Sequence, residues 1–138
     1  MPPFHSFAGD QTDWQVATQF TFFPTTLISL KVIKLNGNPI HTVSDDAFNH
    51  TPRLVHLDLG DCGISTLGAT VFAGLHNLQK LLLHGNRLQS LVKAQFGLVA
   101  STGRMRLLTL YSNPWHCDCR IRWLKEFVEK VRVLTLLL

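Results

Sequence analysis

Leu30-Lys31-Val32-Ile33-Lys34-Leu35-Asn36-Gly37-Asn38-Pro39-Ile40 decides the fold, because the chain says it again twice. Leu54 to Ile64 and Leu78 to Leu88 share its form, L-x-x-L/I-x-L-x-x-N/C-x-L/I, each starting 24 residues after the one before. The echo runs past the motif: Val43, Leu67 and Leu91 hold one register, and Phe48, Phe72 and Phe96 another. A fixed period of this length predicts a stack of coils. No single coil can bury its own apolar edge, so each is stable only against its neighbours. The expected fold is an α/β solenoid with short parallel strands on a concave face. Its convex side is irregular or 3-10, with the phenylalanines stacked in a spine, and a C-terminal helix caps the end.

Three full repeats occupy 30–53, 54–77 and 78–104, and a partial fourth covers 105–113 with Met105 in its first position. The third repeat is longer by three residues, which fall near Ser101-Thr102-Gly103, a polar run able to loop out. Phe22-Phe23-Pro24-Thr25-Thr26-Leu27 leads into the first coil, so the solenoid is placed at 20–113. Residues 1–19 show no register and read as an irregular arm. After Asn113 the pattern changes. Ile121, Leu124, Phe127, Val128 and Val131 follow helical spacing, and Asp118 suits the N-cap of a helix starting near Cys119.

The repeats, together with Asn113-Pro114-Trp115-His116-Cys117-Asp118-Cys119 and the later Trp123-Leu124, resemble extracellular leucine-rich-repeat proteins. Toll-like receptors, Slit-type guidance proteins and the variable lymphocyte receptors of jawless vertebrates carry this cap. The resemblance covers about residues 20–130. It implies a secreted or receptor ectodomain that recognises partners without catalysis or cofactor, in innate immunity or adhesion. It also implies that Cys117 and Cys119 pair with two later cysteines. None follows, so both lack partners and 114–138 reads as a truncated cap. The cysteine cluster usual in the N-terminal cap has no counterpart here either.

With 138 residues the chain fits one domain with a real core. The net charge of +4 is uneven. Residues 1–100 carry six Lys/Arg against six Asp, and the last 38 carry seven against three acids. No basic, apolar leader opens the sequence, and the apolar tail from Val131 to Leu138 is far shorter than the roughly 20 residues a bilayer span needs. The cap cysteines nevertheless place the expectation outside the cell. The rivals are an intracellular scaffold and a fragment without independent function, and incomplete caps would favour self-association.

Strand alternation assigns the open face. With the motif's fourth and sixth residues inward, the third and fifth point out: Val32 and Lys34, His56 and Asp58, Lys80 and Leu82, Leu107 and Thr109. Asn36, Asp61, His84 and Tyr111 extend the strip. Its mixture of apolar, aromatic and charged groups suits a protein or glycan-bearing surface, and it lacks the one-sign stripe of a nucleic-acid binder. No Ser/His/Asp set, carboxylate pair or phosphate loop emerges from these registers, so no enzyme is expected. His116, Cys117 and Cys119 offer three ligands where tetrahedral zinc needs four, so no metal is expected. Cys62 sits in the motif's Asn slot and reads as an internal filler. Asn49-His50-Thr51 is a glycosylation sequon, with Asn49 as acceptor. Gly37, Gly60 and Gly85 stand at strand exits, where glycine lets the chain turn.

Overall fold

The computed structural model describes residues 6–8, 11–13, 19–20, 28–116 and 122–131. Its strands are β1 (Ser6–Ala8), β2 (Gln11–Asp13), β3 (Gln19–Phe20), β4 (Val32–Lys34), β5 (Thr42–Val43), β6 (His56–Asp58), β7 (Thr66–Leu67), β8 (Lys80–Leu82) and β9 (Leu107–Thr109). Two helices join them, α1 (Lys93–Phe96), continued by a 3-10 turn over Gly97–Ala100, and α2 (Arg122–Val131). One sheet runs β1-β2-β4-β6-β8-β9, and a smaller one runs β3-β5-β7. From β2 onward every pairing is parallel, and consecutive coils align residue for residue: Val32 with His56, His56 with Lys80, Lys80 with Leu107.

That register follows from the repeat. Ile33, Leu57, Leu81 and Leu108 all point inward with no exposed surface, as do Leu35, Leu59, Leu83 and Leu110 one step on. On the far side of the core Phe72 lies between Phe48 and Phe96, with ring centroids 6.2 and 5.6 Å away. The fourth coil has no phenylalanine of its own. Helix α2 supplies the missing rings: Trp123 and Phe127 pack on Phe96 at 5.4 and 5.9 Å, and the Trp123 indole N–H donates to Leu91 O at 3.0 Å. Leu124 and Phe127 are buried and Val128 half-buried, so the face expected to cover the stack does cover it. Ile121, Cys117, Asp118 and Cys119 lie outside the described residues.

The arm at 1–19 departs from expectation. Instead of remaining irregular it contributes the antiparallel pair β1–β2, and β2 extends the sheet beyond β4. Residues Gln19 and Phe20 open the smaller sheet against β5. An edge strand without a pairing partner leaves a row of backbone groups unbonded, and the β1–β2 pair occupies that row. In the lengthened third coil the extra chain forms α1 and the 3-10 turn, with the exposed turn at 101–103 following them. Gln95 stabilises this bend: its Oε1 accepts the Val92 N–H at 2.9 Å, and its backbone carbonyl accepts the Phe72 N–H at 2.9 Å.

The Asn slot ties coil to coil. Asn86 Oδ1 accepts the Cys62 and Ile64 N–H groups at 3.1 and 3.0 Å, while its Nδ2 donates to Leu59, Leu83 and His84 carbonyls. Cys62 does more than fill space. Its Sγ donates to Leu35 O at 3.1 Å, the bond that Asn86 Nδ2 makes to Leu59 O one coil later. As an acceptor the sulfur faces the Asn38 and Gly37 backbone N–H groups, whereas the Ile40 N–H, unlike that of Ile64, turns to the Asn38 and Cys62 backbone carbonyls. Burial pushes this thiol up to about 11, against weaker pulls from backbone donors. Alkylation at about pH 8 should therefore spare Cys62 in the folded chain and label it in denaturant, because only the thiolate reacts. Labelling at equal rates in both states would contradict the burial.

Candidate functional site

Three rows of side chains cross the concave face. The strand-entry row is Val32, His56, Lys80 and Leu107, in register. The middle row is Lys34, Asp58, Leu82 and Thr109, again in register. At the strand exits stand Asn36, Asp61, His84 and Tyr111. Val32, Lys34, His56, Asp58, Leu82, His84, Leu107 and Tyr111 are half-buried, and Asn36, Asp61 and Lys80 are exposed. The expected strip is thus one continuous surface with a single exception.

The exception is Thr109, which is 8% exposed instead of open. His84 accounts for this: its Nδ1 is hydrogen-bonded to Thr109 Oγ1 at 2.8 Å, and the same oxygen accepts the Leu83 N–H at 3.2 Å. The His84 ring also stacks on Tyr111, with centroids 4.7 Å apart and planes 9° from parallel. On its other edge Nε2 stands 3.7 Å from Asp61 Oδ2.

Glycine makes room for this group. A Cβ on Gly60 would lie 2.6 Å from His84 Nε2 and 3.2 Å from Asp58 Oδ1, closer to the imidazole than real Cβ atoms come. The expectation that Gly60 serves the turn needs correcting, since the left-handed residue at that strand exit is Asp61, at φ 54°. Gly37 and Gly85 do occupy the left-handed turn position, at φ 77° and 68°, and Ser112 takes it in the fourth coil at 56°. What requires glycine at 60 is the approach of the next coil's histidine. Gly60→Ala should push His84 off Tyr111 while leaving the core intact. Loss of ring-current shifts on Tyr111, the chain's one tyrosine, with an unchanged spectrum for the core leucines would show it.

His56 belongs to the strip and is half-buried, yet one edge of its ring is closed off. Its Nε2 is buried with no hydrogen-bond partner among the described residues. Burial lowers its pKa, Asp58 pulls it back up, and Lys80 and Lys34 lower it further. The folded chain therefore resists a proton that the unfolded chain accepts near pH 6.5, the ordinary imidazole value. Stability is expected to fall as pH drops through that range, and the loss is complete below the folded value. His56→Gln should shrink the stability difference between about pH 7.5 and about pH 5.5, measured by urea unfolding. A difference that stays the same would assign the acid loss to other groups.

Thr109, His84 and Asp61 superficially form a hydroxyl–imidazole–carboxylate relay. The hydroxyl is buried and already accepts a backbone N–H, so it cannot reach a substrate carbonyl. Among the described residues no group of three or more His, Cys, Asp or Glu is arranged to hold a metal ion. No described helix is long and apolar enough to cross a membrane. On the convex side Asn49 is exposed and its Nδ2 donates to Asp46 Oδ1 at 3.1 Å. Thr51 of the same triplet is fully buried, with its hydroxyl donating to Phe48 O.

A family model described as Leucine rich repeat matches residues 25–97. The chain belongs to the leucine-rich-repeat family. Zebrafish (Danio rerio) leucine-rich repeat-containing protein 3 is 31% identical over 102 residues, which are 73% of this chain and 35% of that protein. The human (Homo sapiens) leucine-rich repeat-containing protein 3B is 32% identical over 66% of this chain and 34% of its own length. The chicken (Gallus gallus) BDNF/NT-3 growth factors receptor is 30% identical over 68% of this chain but 11% of the receptor. Among solved structures, human 5T4 (Wnt-activated inhibitory factor 1, trophoblast glycoprotein) superposes with a TM-score of 0.65 and 26% identity. The match covers 79% of this chain and 39% of 5T4. The chain thus spans about a third of the repeat-containing relatives it matches, and it is a leucine-rich-repeat solenoid of the extracellular type.

Proposed function

We propose that this leucine-rich-repeat solenoid recognises a protein partner through its concave face, as a secreted or cell-surface ectodomain serving adhesion or innate immunity. The observation that carries the reading is the alignment of the three rows. Strand register brings half-buried Val32, Leu82 and Leu107 into one surface with Tyr111, bordered by Lys34, Asp58, Asp61 and Lys80. An apolar and aromatic centre within a polar rim is the usual anatomy of a protein interface. Similarity to a growth-factor receptor and to 5T4 supports the extracellular setting. On this reading the sequon residue Asn49 would carry any glycan on the convex side, leaving the strip open.

The test is to probe an array of receptor and adhesion ectodomains with the chain, then repeat the binding with variants. Asp58→Ala, Lys80→Ala and Tyr111→Ala should include at least one loss of about tenfold, the scale of an interface hot spot. Asp46→Ala, on the convex side, should leave affinity unchanged. Equal losses from Asp46→Ala would sink the assignment.

A further inference from the structure

Two carboxylates on the concave face stand without a cation. Among the described residues no Lys or Arg nitrogen comes within 4.0 Å of Asp58 or Asp61, and within that distance Asp61 Oδ2 meets the His84 imidazole, at 3.7 Å. Each carboxylate lies against the backbone of a strand-exit glycine. Asp58 Oδ1 accepts the Gly60 N–H at 2.9 Å, which leaves Oδ2 open. Asp61 takes a left-handed backbone at φ 54°, and its carboxylate lies over Gly85, where any Cβ would run into Oδ1. Its side chain is still 69% exposed.

These acids bracket one flat plate. Asp58 Oδ1 and His84 Nε2 both stand over Gly60, and Asp61 Oδ2 approaches the same nitrogen. The imidazole is pinned at its Nδ1 edge by Thr109 and on one face by Tyr111. The Tyr111 hydroxyl makes no hydrogen bond among the described residues, and its ring is half-buried. Paired acceptors beside an aromatic stack match one side chain better than the others. A guanidinium is planar, presents a fork of donors to carboxylates and stacks on rings, whereas an ammonium is a compact point charge that needs neither fork nor plate.

We propose that the strand-exit rim of the concave face holds an arginine side chain presented by a protein partner, between Asp58 and Asp61 and against the His84–Tyr111 stack. This rests on the concave face being the binding surface and specifies what it grips. Lys34, opposite Asp58 on the first coil, sets the direction of approach, since it repels a second cation there and leaves the side of the third and fourth coils open. The same rim disfavours anionic ligands such as sulfated glycans.

The probe is acetyl-Ala-Arg-Ala-amide, with counterparts in which lysine or citrulline replaces arginine, titrated into the isotope-labelled chain and followed by NMR. Citrulline keeps the plane and loses the charge; lysine keeps the charge and loses the plane. The arginine peptide should shift Gly60, Asp61, Gly85 and Tyr111 resonances saturably, lysine more weakly, and citrulline least. Asp61→Asn should weaken the arginine peptide by about fivefold, the scale of one exposed ion pair. Asparagine tolerates the left-handed backbone, so that variant keeps the turn. Tyr111→Leu should weaken the arginine peptide more than the lysine peptide. Equal responses to all the peptides, equal responses to arginine and lysine, or shifts centred away from the rim would each overturn the proposal. Such a failure leaves the concave reading intact, since a partner can dock on Val32 and Leu82 alone, whereas a convex binding site would remove both.

Discussion

Phe72→Ala is expected to lower the unfolding free energy by about 3–5 kcal/mol, the range for truncating a large buried ring. The side chain has no exposed surface and touches a phenylalanine on each side, so neighbouring coils would face a shared cavity. The strands above it are only three residues long and cannot close that gap by shifting register, because a one-residue slip would turn every inward leucine outward. Urea unfolding of the two proteins checks this. A loss of a few tenths of a kcal/mol would mean that the spine does not hold the coils together. Phe127→Ala on helix α2 should cost less, since that ring packs on the stack from one end only.

Asn86→Ala is expected to cost roughly as much, about 3–5 kcal/mol, for a different reason. It strands two buried N–H groups, Cys62 and Ile64, and the inward Leu59 carbonyl, each unsatisfied group costing about 1–3 kcal/mol with partial relief from relaxation, while Leu83 O keeps the Asn113 Nδ2 donor. Asn86→Asp separates the two halves of the role. A carboxylate keeps the acceptor for both amides but faces three carbonyl oxygens with no donor, so it should be no better than alanine. Asn113→Ala should be milder, because that residue is half-buried at the end of the stack and its Oδ1 serves one backbone amide, Leu88. Equal costs at 86 and 113 would show that burial does not set the price.

Much of this fold was legible in the residues because a solenoid is written locally. The 24-residue period, the inward leucines and the phenylalanine register each follow from the spacing of apolar side chains within one coil. What escaped depends on contacts between coils. Thr109 reads as outward by alternation alone; only the His84 ring from the neighbouring coil shows that it is covered. Gly60 looks like a turn glycine until the same imidazole is seen above it. Trp123 sits at a helical position like any other, yet it completes a spine that begins 75 residues earlier at Phe48. The N-terminal strands were missed for another reason. Ser6–Ala8 and Gln11–Asp13 are short and largely polar, so no apolar period marks them, and the sheet edge they extend belongs to β4.

Hydrogen–deuterium exchange with and without a bound partner tests the central claim most directly. Binding through the concave face predicts added protection at 32–37, 56–61, 80–85 and 107–112, strongest around Gly60, Asp61 and Tyr111. The convex segments 45–50, 69–74 and 93–103 should exchange as they do in the free chain. Protection confined to those convex segments, with the strands unchanged, would contradict it.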